Sequence, residues 1–179
     1  FGRVWGQVQF DIYHHYTTDE HLLLTLYHLH ELKKMSFYKE IYSRLSQKVA
    51  LHVSLLFHDI GKKGPKRHSI YGKELTQKIF KRLPLSEEDQ KLSLWLIENH
   101  LLMSDIAFKN DSQDPDVIAS FTAIANTQEK VNSLFLFTLC DIAAVGPNIL
   151  NEWRISLLRS LLFNARDFLQ RGLDTANYS

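Results

Sequence analysis

Residues 49–61 read VALHVSLLFHDIG, an apolar run that closes on a histidine, an aspartate and a glycine. Its apolar side chains recur at the three- and four-residue spacings of a helix, and glycine is a usual residue just past a helix end. We therefore predict a helix over residues 49–60, with His58 and Asp59 in its last turn.

Helical periodicity continues along nearly the whole chain, and capping signals mark several helix starts. Thr17 and Glu20 have the spacing of a capping box, and Asp114 followed by Pro115 is typical of a cap and a first-turn proline. Residues 104–113 are polar and predict a loop. The other predicted helices cover about residues 17–32, 37–47, 69–83, 86–100, 114–125, 128–145 and 147–170.

The composition favours the same fold class. Among 179 residues there are only seven glycines and four prolines, too few turn residues for a many-stranded sandwich or barrel. We predict an all-α chain, a bundle of about six to eight helices in one domain over residues 1–179, without a substantial sheet. Because the sequence begins at Phe1 rather than Met, we expect it to be a fragment of a longer multidomain protein.

Charge and cysteine content argue against several classes of function. The formal net charge of +1 provides no global attraction to nucleic acid or to an anionic membrane, and no apolar run approaches the roughly 18 residues of a membrane span. The single cysteine, Cys140, cannot form an internal disulfide and fits a cytoplasmic protein. Lys63, Lys66 and Arg67 lack interleaved aromatic residues, which favours a solvated loop over a nucleic-acid contact.

Nine histidines are the unusual feature of the composition. Four of them fall, with two aspartates, at helix ends or inside apolar helices. These residues are His21, His58, Asp59, His68, His100 and Asp141. Imidazole and carboxylate ligands suit divalent Mn, Fe, Co, Ni or Zn, and helices can bring such ligands together in a bundle core. Taken singly, each residue is also explained as a core or surface histidine, a helix cap or a salt-bridge partner.

Asp141 carries the strongest of these signals, because it lies within the apolar run of residues 134–145. A carboxylate in such a run is expected to be buried, and a buried charge needs an ion-pair partner or a metal ion. An ion pair with Arg or Lys, or a helix-end cap, would explain Asp141 alone; considered alongside His58 and Asp59, the pattern favours a metal site.

The order His21, His58-Asp59, Asp141 resembles the HD superfamily of metal-dependent phosphohydrolases. Longer segments narrow the resemblance to the HD domain of the bacterial bifunctional uridylyltransferase/uridylyl-removing enzymes. The segments that carry it are residues 6–11, 15–21, 56–62, 68–72, 95–104, 114–118 and 141–147. Residues 16–21 and 100–104 are far more specific than the His-Asp pair, and the similarity spans about residues 1–172.

This resemblance implies a helical HD fold and a cytoplasmic phosphodiesterase that removes UMP from a tyrosine of the PII signalling protein in nitrogen regulation. It also implies flanking domains as partners, namely a nucleotidyltransferase domain and glutamine-sensing ACT domains. Neither a membrane nor a nucleic acid is expected as a partner.

The resemblance also implies a ligand set. His21, His58, Asp59 and Asp141 are expected to hold a divalent metal ion, Mn or Mg first, with Fe, Co, Ni or Zn as alternatives. Because histidines must be neutral to bind a metal, the affinity is expected to fall at mildly acidic pH.

A second metal ion is left open by the sequence. His68 and His100 occupy places where ligands of a second ion fall in two-metal relatives, but Asn99 stands where some of those relatives have a histidine. His68 or His100 would otherwise contact the substrate phosphate. The expected catalytic residues are thus Asp59, Lys62, His68 and His100, with Lys62 neutralising charge on the phosphate.

Two other functions remain open at this point. One is an HD hydrolase of a small nucleotide, such as a dNTP or a signalling nucleotide; the other is a catalytically silent helical regulatory module. Of the remaining histidines, His28 and His30 lie along the first helix, and His52 is a candidate partner of the metal ligands. His14 is interpreted as incidental and His15 as a candidate pocket residue.

Overall fold

The computed structural model describes residues 17–62 and 68–177, with side chains over 17–62 and 70–174. Within those residues the chain forms nine α-helices and no β-strand, so the all-α prediction is confirmed. In chain order they are α1 (Thr18–Leu32), α2 (Ser36–Ser43), α3 (Lys48–Phe57), α4 (His68–Phe80), α5 (Glu87–Asn99), α6 (Leu102–Lys109), α7 (Pro115–Ile124), α8 (Gln128–Ala143) and α9 (Glu152–Asn177).

Polar side chains mark the starts of α1 and α7 at the positions that the sequence predicts. The Glu20 carboxylate accepts hydrogen bonds from the backbone N–H of Thr17 at 2.9 Å and from its hydroxyl at 2.8 Å, within the predicted capping box. Asp114 accepts from the backbone N–H of Asp116 at 2.9 Å, directly before the first-turn proline. The bonds from the Thr17 and Asp116 backbone satisfy N–H groups that the helices themselves leave without a partner.

Residues 104–113 were predicted to form a loop, and that prediction is wrong over its first half. They belong in part to α6, which buries Met103 and Ala107 against the core. The polar residues that suggested a loop lie on its exposed face, where Lys109 and Asp105 form an ion pair at 2.6 Å. The polarity of the stretch is that of a short amphipathic helix.

The last helix begins later and ends later than predicted. Pro147 does not open it, because Asn148 has a left-handed backbone with φ of 62°, which a helix cannot continue through. Asn151 instead accepts a hydrogen bond from the backbone N–H of Arg154 at 2.9 Å, and α9 starts at Glu152. The helix then continues past Gly172 to Asn177.

Helix α8 forms the centre of the main core. It contacts α1, α2, α3, α5, α6 and α9, and every residue from Val131 to Cys140 is buried. A smaller core cluster of Leu22, Phe57, Ile60, Phe80 and Ile97 joins α1, α4 and α5 to the end of α3. Among the described helices, none combines the length and hydropathy that a membrane crossing requires.

Leu22 and Leu23 provide a matched test of this packing. Leu22 is fully buried, whereas its neighbour on the same helix is 55% exposed. We expect Leu22→Ala to lower the free energy of unfolding by about 2–5 kcal/mol through lost burial and a residual cavity. Leu23→Ala should change it by less than about 0.5 kcal/mol. Urea denaturation followed by circular dichroism measures both, and equal effects would contradict the assigned core.

Candidate metal centre

Three helices bring four of the predicted site residues together. His21 lies in the first turn of α1, His58 and Asp59 directly follow α3, and Asp141 lies in the last turn of α8. The helices meet because α1 packs against both α3 and α8. His21, His58 and Asp59 are buried, and the side chain of Asp141 is 18% exposed. The cluster is therefore almost dry, with an opening to solvent at Asp141.

The Nε2 atoms of both histidines face the carboxylates. His21 Nε2 lies 2.9 Å from Asp141 Oδ1 and 3.8 Å from Asp59 Oδ2. His58 Nε2 lies 3.2 Å from Asp141 Oδ1 and 3.5 Å from Asp59 Oδ2. For His21, His58 and Asp59, one ligand atom of each lies within 4.8 Å of the others. This is the spacing of a group that can share one cation.

Backbone carbonyl groups fix the orientation of the rings. His21 Nδ1–H donates to the carbonyl of Ala144 at 3.2 Å, and His58 Nδ1–H donates to that of Leu55 at 3.0 Å. Because a carbonyl can only accept, each ring carries its proton on Nδ1, and a neutral ring then presents a lone pair at Nε2. Histidine ligands of metals are commonly held in this way.

A lone pair at Nε2 cannot face a carboxylate oxygen at about 3 Å without a cation or a second proton between them. His58 Nε2 is fully buried and finds no well-directed hydrogen bond among the described residues, although Asp141 Oδ1 lies 3.2 Å away. A nitrogen and oxygen donor set of this kind fits a divalent ion such as Mn, Fe, Co, Ni or Zn. The residues present therefore fit a divalent metal ion.

In the metal-free cluster, burial and the neighbouring charges shift the pKa values of the aspartates and of His58 in opposite directions. Burial would raise the pKa of the Asp141 carboxyl, but the His58 charge and the hydrogen bond from His21 hold that pKa well below its ordinary value. Burial also opposes ionisation of Asp59, whereas His58 and Lys62 lower its pKa. Burial would lower the pKa of His58, yet the charges of Asp59 and Asp141 raise it to about 8.

His100 lies next to this cluster but differs in charge. Its ring is buried, with its centroid 5.2 Å from that of His58, and its Nδ1–H donates to the carbonyl of Ile97 at 2.7 Å. Burial and the charge of His58 lower its pKa to about 4, so the ring is neutral at pH 7. The neighbouring Asn99 amide donates to the Trp95 carbonyl at 2.9 Å, and that bond points its side chain back along α5.

Lys62, in the turn that follows α3, adds a positive charge to the cluster. Its Nζ lies 2.5 Å from Asp59 Oδ2, and its side chain is 25% exposed. The ammonium group thus lies between the buried carboxylates and solvent, a position from which it can contact an anionic ligand.

The other predicted residues fall into two groups: some lie outside the described residues, and the others have neighbours outside the cluster. His68 opens α4, but its side chain lies outside the described residues, as do His14, His15 and Lys63, Lys66 and Arg67. His52 was a candidate partner of the metal ligands; its Nδ1 instead donates to the Lys48 carbonyl at 2.8 Å, and its ring contacts Tyr42. His30 is exposed and His28 is half-buried.

Sequence reasoning missed the groups that hold the histidines. Backbone carbonyls leave no trace in residue type, and the contact of Phe137 with both the His58 and the His100 rings depends on packing. One signal was available: His58 and His100 each follow the last residue of a helix and donate to the carbonyl three residues earlier. A histidine at a helix end can make this bond locally, whatever the rest of the fold.

Comparison with known proteins places this cluster in a family. The model of the family described as HD domain matches residues 18–141, which begin in the first turn of α1 and end at Asp141. The chain belongs to the HD domain family. The resemblance to metal-dependent phosphohydrolases of this family, inferred above from the sequence, is thereby confirmed, and every described residue of the HD pattern lies in the cluster.

Three curated relatives that are similar to this chain carry the name "Bifunctional uridylyltransferase/uridylyl-removing enzyme". The one from Rhodospirillum rubrum is 39% identical over an alignment of 178 positions, which covers 96% of this chain and 19% of the relative. Those from Ruegeria pomeroyi and Novosphingobium aromaticivorans are 37% and 39% identical and cover 99% and 96% of this chain. The chain spans about a fifth of the length of these relatives.

The raised pKa of His58 predicts a pH dependence of stability in the metal-free HD domain. Protonated His58 stabilises the fold fully below the unfolded pKa of about 6.5, and this contribution is lost as the pH rises through about 8. We expect the free energy of unfolding in EDTA to fall by about 2 kcal/mol over that range.

Urea denaturation at closely spaced pH values measures this change. The variant His58→Gln should lose the slope, whereas His30→Gln, at an exposed position on α1, should keep it. A wild-type stability that stays level between pH 6 and about 9 would contradict the assigned charge on His58.

Proposed function

We propose that the chain is a metal-dependent phosphodiesterase that releases UMP from the tyrosine of uridylylated PII signalling protein. The observation that carries the proposal is the buried cluster of His21, His58, Asp59 and Asp141, whose nitrogen and oxygen ligand atoms converge. The names of the relatives, which include a uridylyl-removing activity, support the choice of substrate.

The four residues of the cluster would hold the metal ion, the histidines through Nε2 and the aspartates through carboxylate oxygens. A bound divalent ion supplies Lewis acidity, which lowers the pKa of a bound water and polarises a phosphoryl oxygen. The chain contributes orientation: the carbonyls of Ala144 and Leu55 fix both rings, so little rotation is needed when a ligand binds.

Lys62 and His100 would act on the phosphate. A phosphodiester carries one negative charge, and the Lys62 ammonium beside Asp59 is a partly exposed cation at the cluster. When it turns from Asp59 toward the substrate, it can neutralise charge on a phosphoryl oxygen. His100 is neutral at pH 7, and with its proton on Nδ1 it presents a lone pair at Nε2 that can bind a second ion; a hydrogen bond to the phosphate would require a second ring proton.

The leaving group explains why a strong general acid is not required. Hydrolysis of a tyrosine phosphodiester releases a phenolate, whose conjugate acid has a pKa of about 10. A phenolate is a much better leaving group than an aliphatic alkoxide. Proton donation can therefore come from water, and the four ligand positions need supply no acid of their own.

We further propose that these 179 residues form one HD domain and work within a longer cytoplasmic protein. Support comes from the length of the relatives, of which the chain spans about a fifth. A nucleotidyltransferase domain and glutamine-sensing ACT domains would be its partners there, and would attach UMP and report glutamine.

The central test is release of UMP from uridylylated PII by the purified chain in the presence of Mn²⁺. Asp59→Asn removes one charged ligand at nearly constant volume, and we expect the rate to fall at least about a hundredfold. Asp105→Asn, which removes an exposed carboxylate on α6, is the matched control and should retain full activity. Chromatographic separation of UMP measures both rates.

The same preparation distinguishes the competing functions. Release of phosphate or pyrophosphate from dNTPs or signalling nucleotides, without UMP release from PII, would assign the chain to small-nucleotide hydrolysis. Metal binding without turnover on either substrate would assign it to a regulatory module.

Metal binding should also depend on pH. Because both histidines must be neutral to act as ligands, we expect Mn²⁺ affinity to fall by more than about tenfold between pH 8 and pH 5.5. Isothermal titration calorimetry at each pH gives the affinity and the number of ions bound. A constant affinity over this range would argue against histidine ligands.

A further inference from the structure

Gly72 lies inside α4, buried where this helix meets the end of α3 and the body of α5. A Cβ atom placed on it would lie 3.1 Å from the backbone oxygen of His58. It would also lie 3.5 Å from the backbone nitrogen of Gly61 and 3.7 Å from Cγ2 of Ile97. The first distance is shorter than the roughly 3.5–4.0 Å at which non-bonded heavy atoms pack without repulsion.

Each of these neighbours belongs to a segment that positions part of the metal centre. His58 is in the cluster itself, and Gly61 precedes Lys62, whose backbone N–H donates to the Asp59 carbonyl at 3.1 Å. Ile97 supplies the carbonyl that holds the His100 ring. One missing side chain therefore sets the approach of α4 to three segments at once.

We propose that Gly72 is a positioning residue of the metal centre, because its lack of a side chain sets the separation between α4 and the turn of residues 58–61. The inference rests on the proposed metal site. The neighbour at 3.1 Å is a backbone oxygen, which cannot rotate away as a flexible side chain can. A methyl group at position 72 therefore displaces one of two groups. Either α4 moves away, or the His58 peptide moves and carries the His58 ring and the Asp59 carboxylate with it.

From helix propensity alone, replacing Gly72 with alanine would be expected to stabilise α4. Glycine is a poor residue for the interior of a helix, and alanine is the best. Gly172 lies inside α9, and a Cβ atom placed on it would meet no described atom within 4 Å. Its replacement by alanine therefore tests helix propensity without a clash. The two glycines are thus a matched pair that separates the local helix effect from the approach to His58.

The experiment compares Gly72→Ala and Gly172→Ala in the full 179-residue chain, with Co²⁺ as the probe metal. Circular dichroism first establishes helicity; Co²⁺ titration then gives the affinity, and the visible absorption bands report the coordination geometry. We expect Gly72→Ala to keep its helicity, lose about 10- to 100-fold in Co²⁺ affinity and show shifted bands. Gly172→Ala should match the wild type in affinity and bands.

The outcomes separate this inference from the proposed function. If the wild-type chain binds no Co²⁺, the proposed metal site fails, and the role of Gly72 fails with it. If the wild type binds and Gly72→Ala binds with the same affinity and bands, the positioning role alone is overturned.

A folding defect is handled by a second measurement. If Gly72→Ala is unfolded in plain buffer, the titration is repeated in sucrose, which favours the folded state. Restored helicity with weakened Co²⁺ affinity supports the proposal, whereas restored helicity with wild-type affinity overturns it. A variant that stays unfolded in sucrose would assign Gly72 to overall packing and would also overturn it.

Discussion

The Asp141 carboxylate, facing the Nε2 atoms of His21 and His58, is the interaction on which the rest of the structure depends. It joins residues 120 positions apart on α1 and α8 at 2.9 Å, and brings the end of α3 to within 3.2 Å. A carboxylate in this nearly dry position is stable only with positive charge beside it. The three helices must therefore meet with their histidines inward, and the cluster needs either protons or a metal ion to balance its two aspartates.

The surroundings of the cluster fix the orientation of its histidine rings. His58 and His100 each end a helix, and each ring donates to the carbonyl three residues earlier. The helix ends thus fix the directions in which both Nε2 atoms point. Phe137 of α8 packs against both rings. The central helix thus contributes the Asp141 carboxylate, which faces His58, and an aromatic ring that contacts both His58 and His100.

Sequence patterns predicted the fold where a local interaction decided it, and failed where burial decided it. The caps at Thr17 and Asp114 depend on side chains a few residues away, so their spacing was readable. Helix α6 was missed because Asp105 and Lys109 suggested a loop, and only the three-dimensional core shows that Met103 and Ala107 are buried beside them. The late start of α9 depends on the backbone at Asn148, which residue type does not reveal. For the candidate site, residue type gathered six histidines and aspartates that need partners in apolar surroundings, and the resemblance to the HD superfamily was needed to select His21, His58, Asp59 and Asp141 as the expected metal ligands. The sequence did not predict the distances between ligand atoms, the backbone carbonyls that hold the rings or the close approach at Gly72, since each depends on how separate helices meet.

The contrast between His58 and His100 shows what governs the chemistry of the cluster. Both rings are buried, and both donate through Nδ1 to a carbonyl of their own helix, so local structure cannot explain their different charges. His58 has Asp59 and Asp141 within 3.5 Å of its Nε2, and their charges outweigh burial and raise its pKa to about 8. For His100 the same carboxylates raise the pKa less than burial and the charge of His58 lower it, so its pKa falls to about 4. The position of each ring relative to the two aspartates, which the packing of α3, α5 and α8 sets, therefore decides its charge. His58 must lose a proton before it can bind a metal ion, whereas His100 is already neutral.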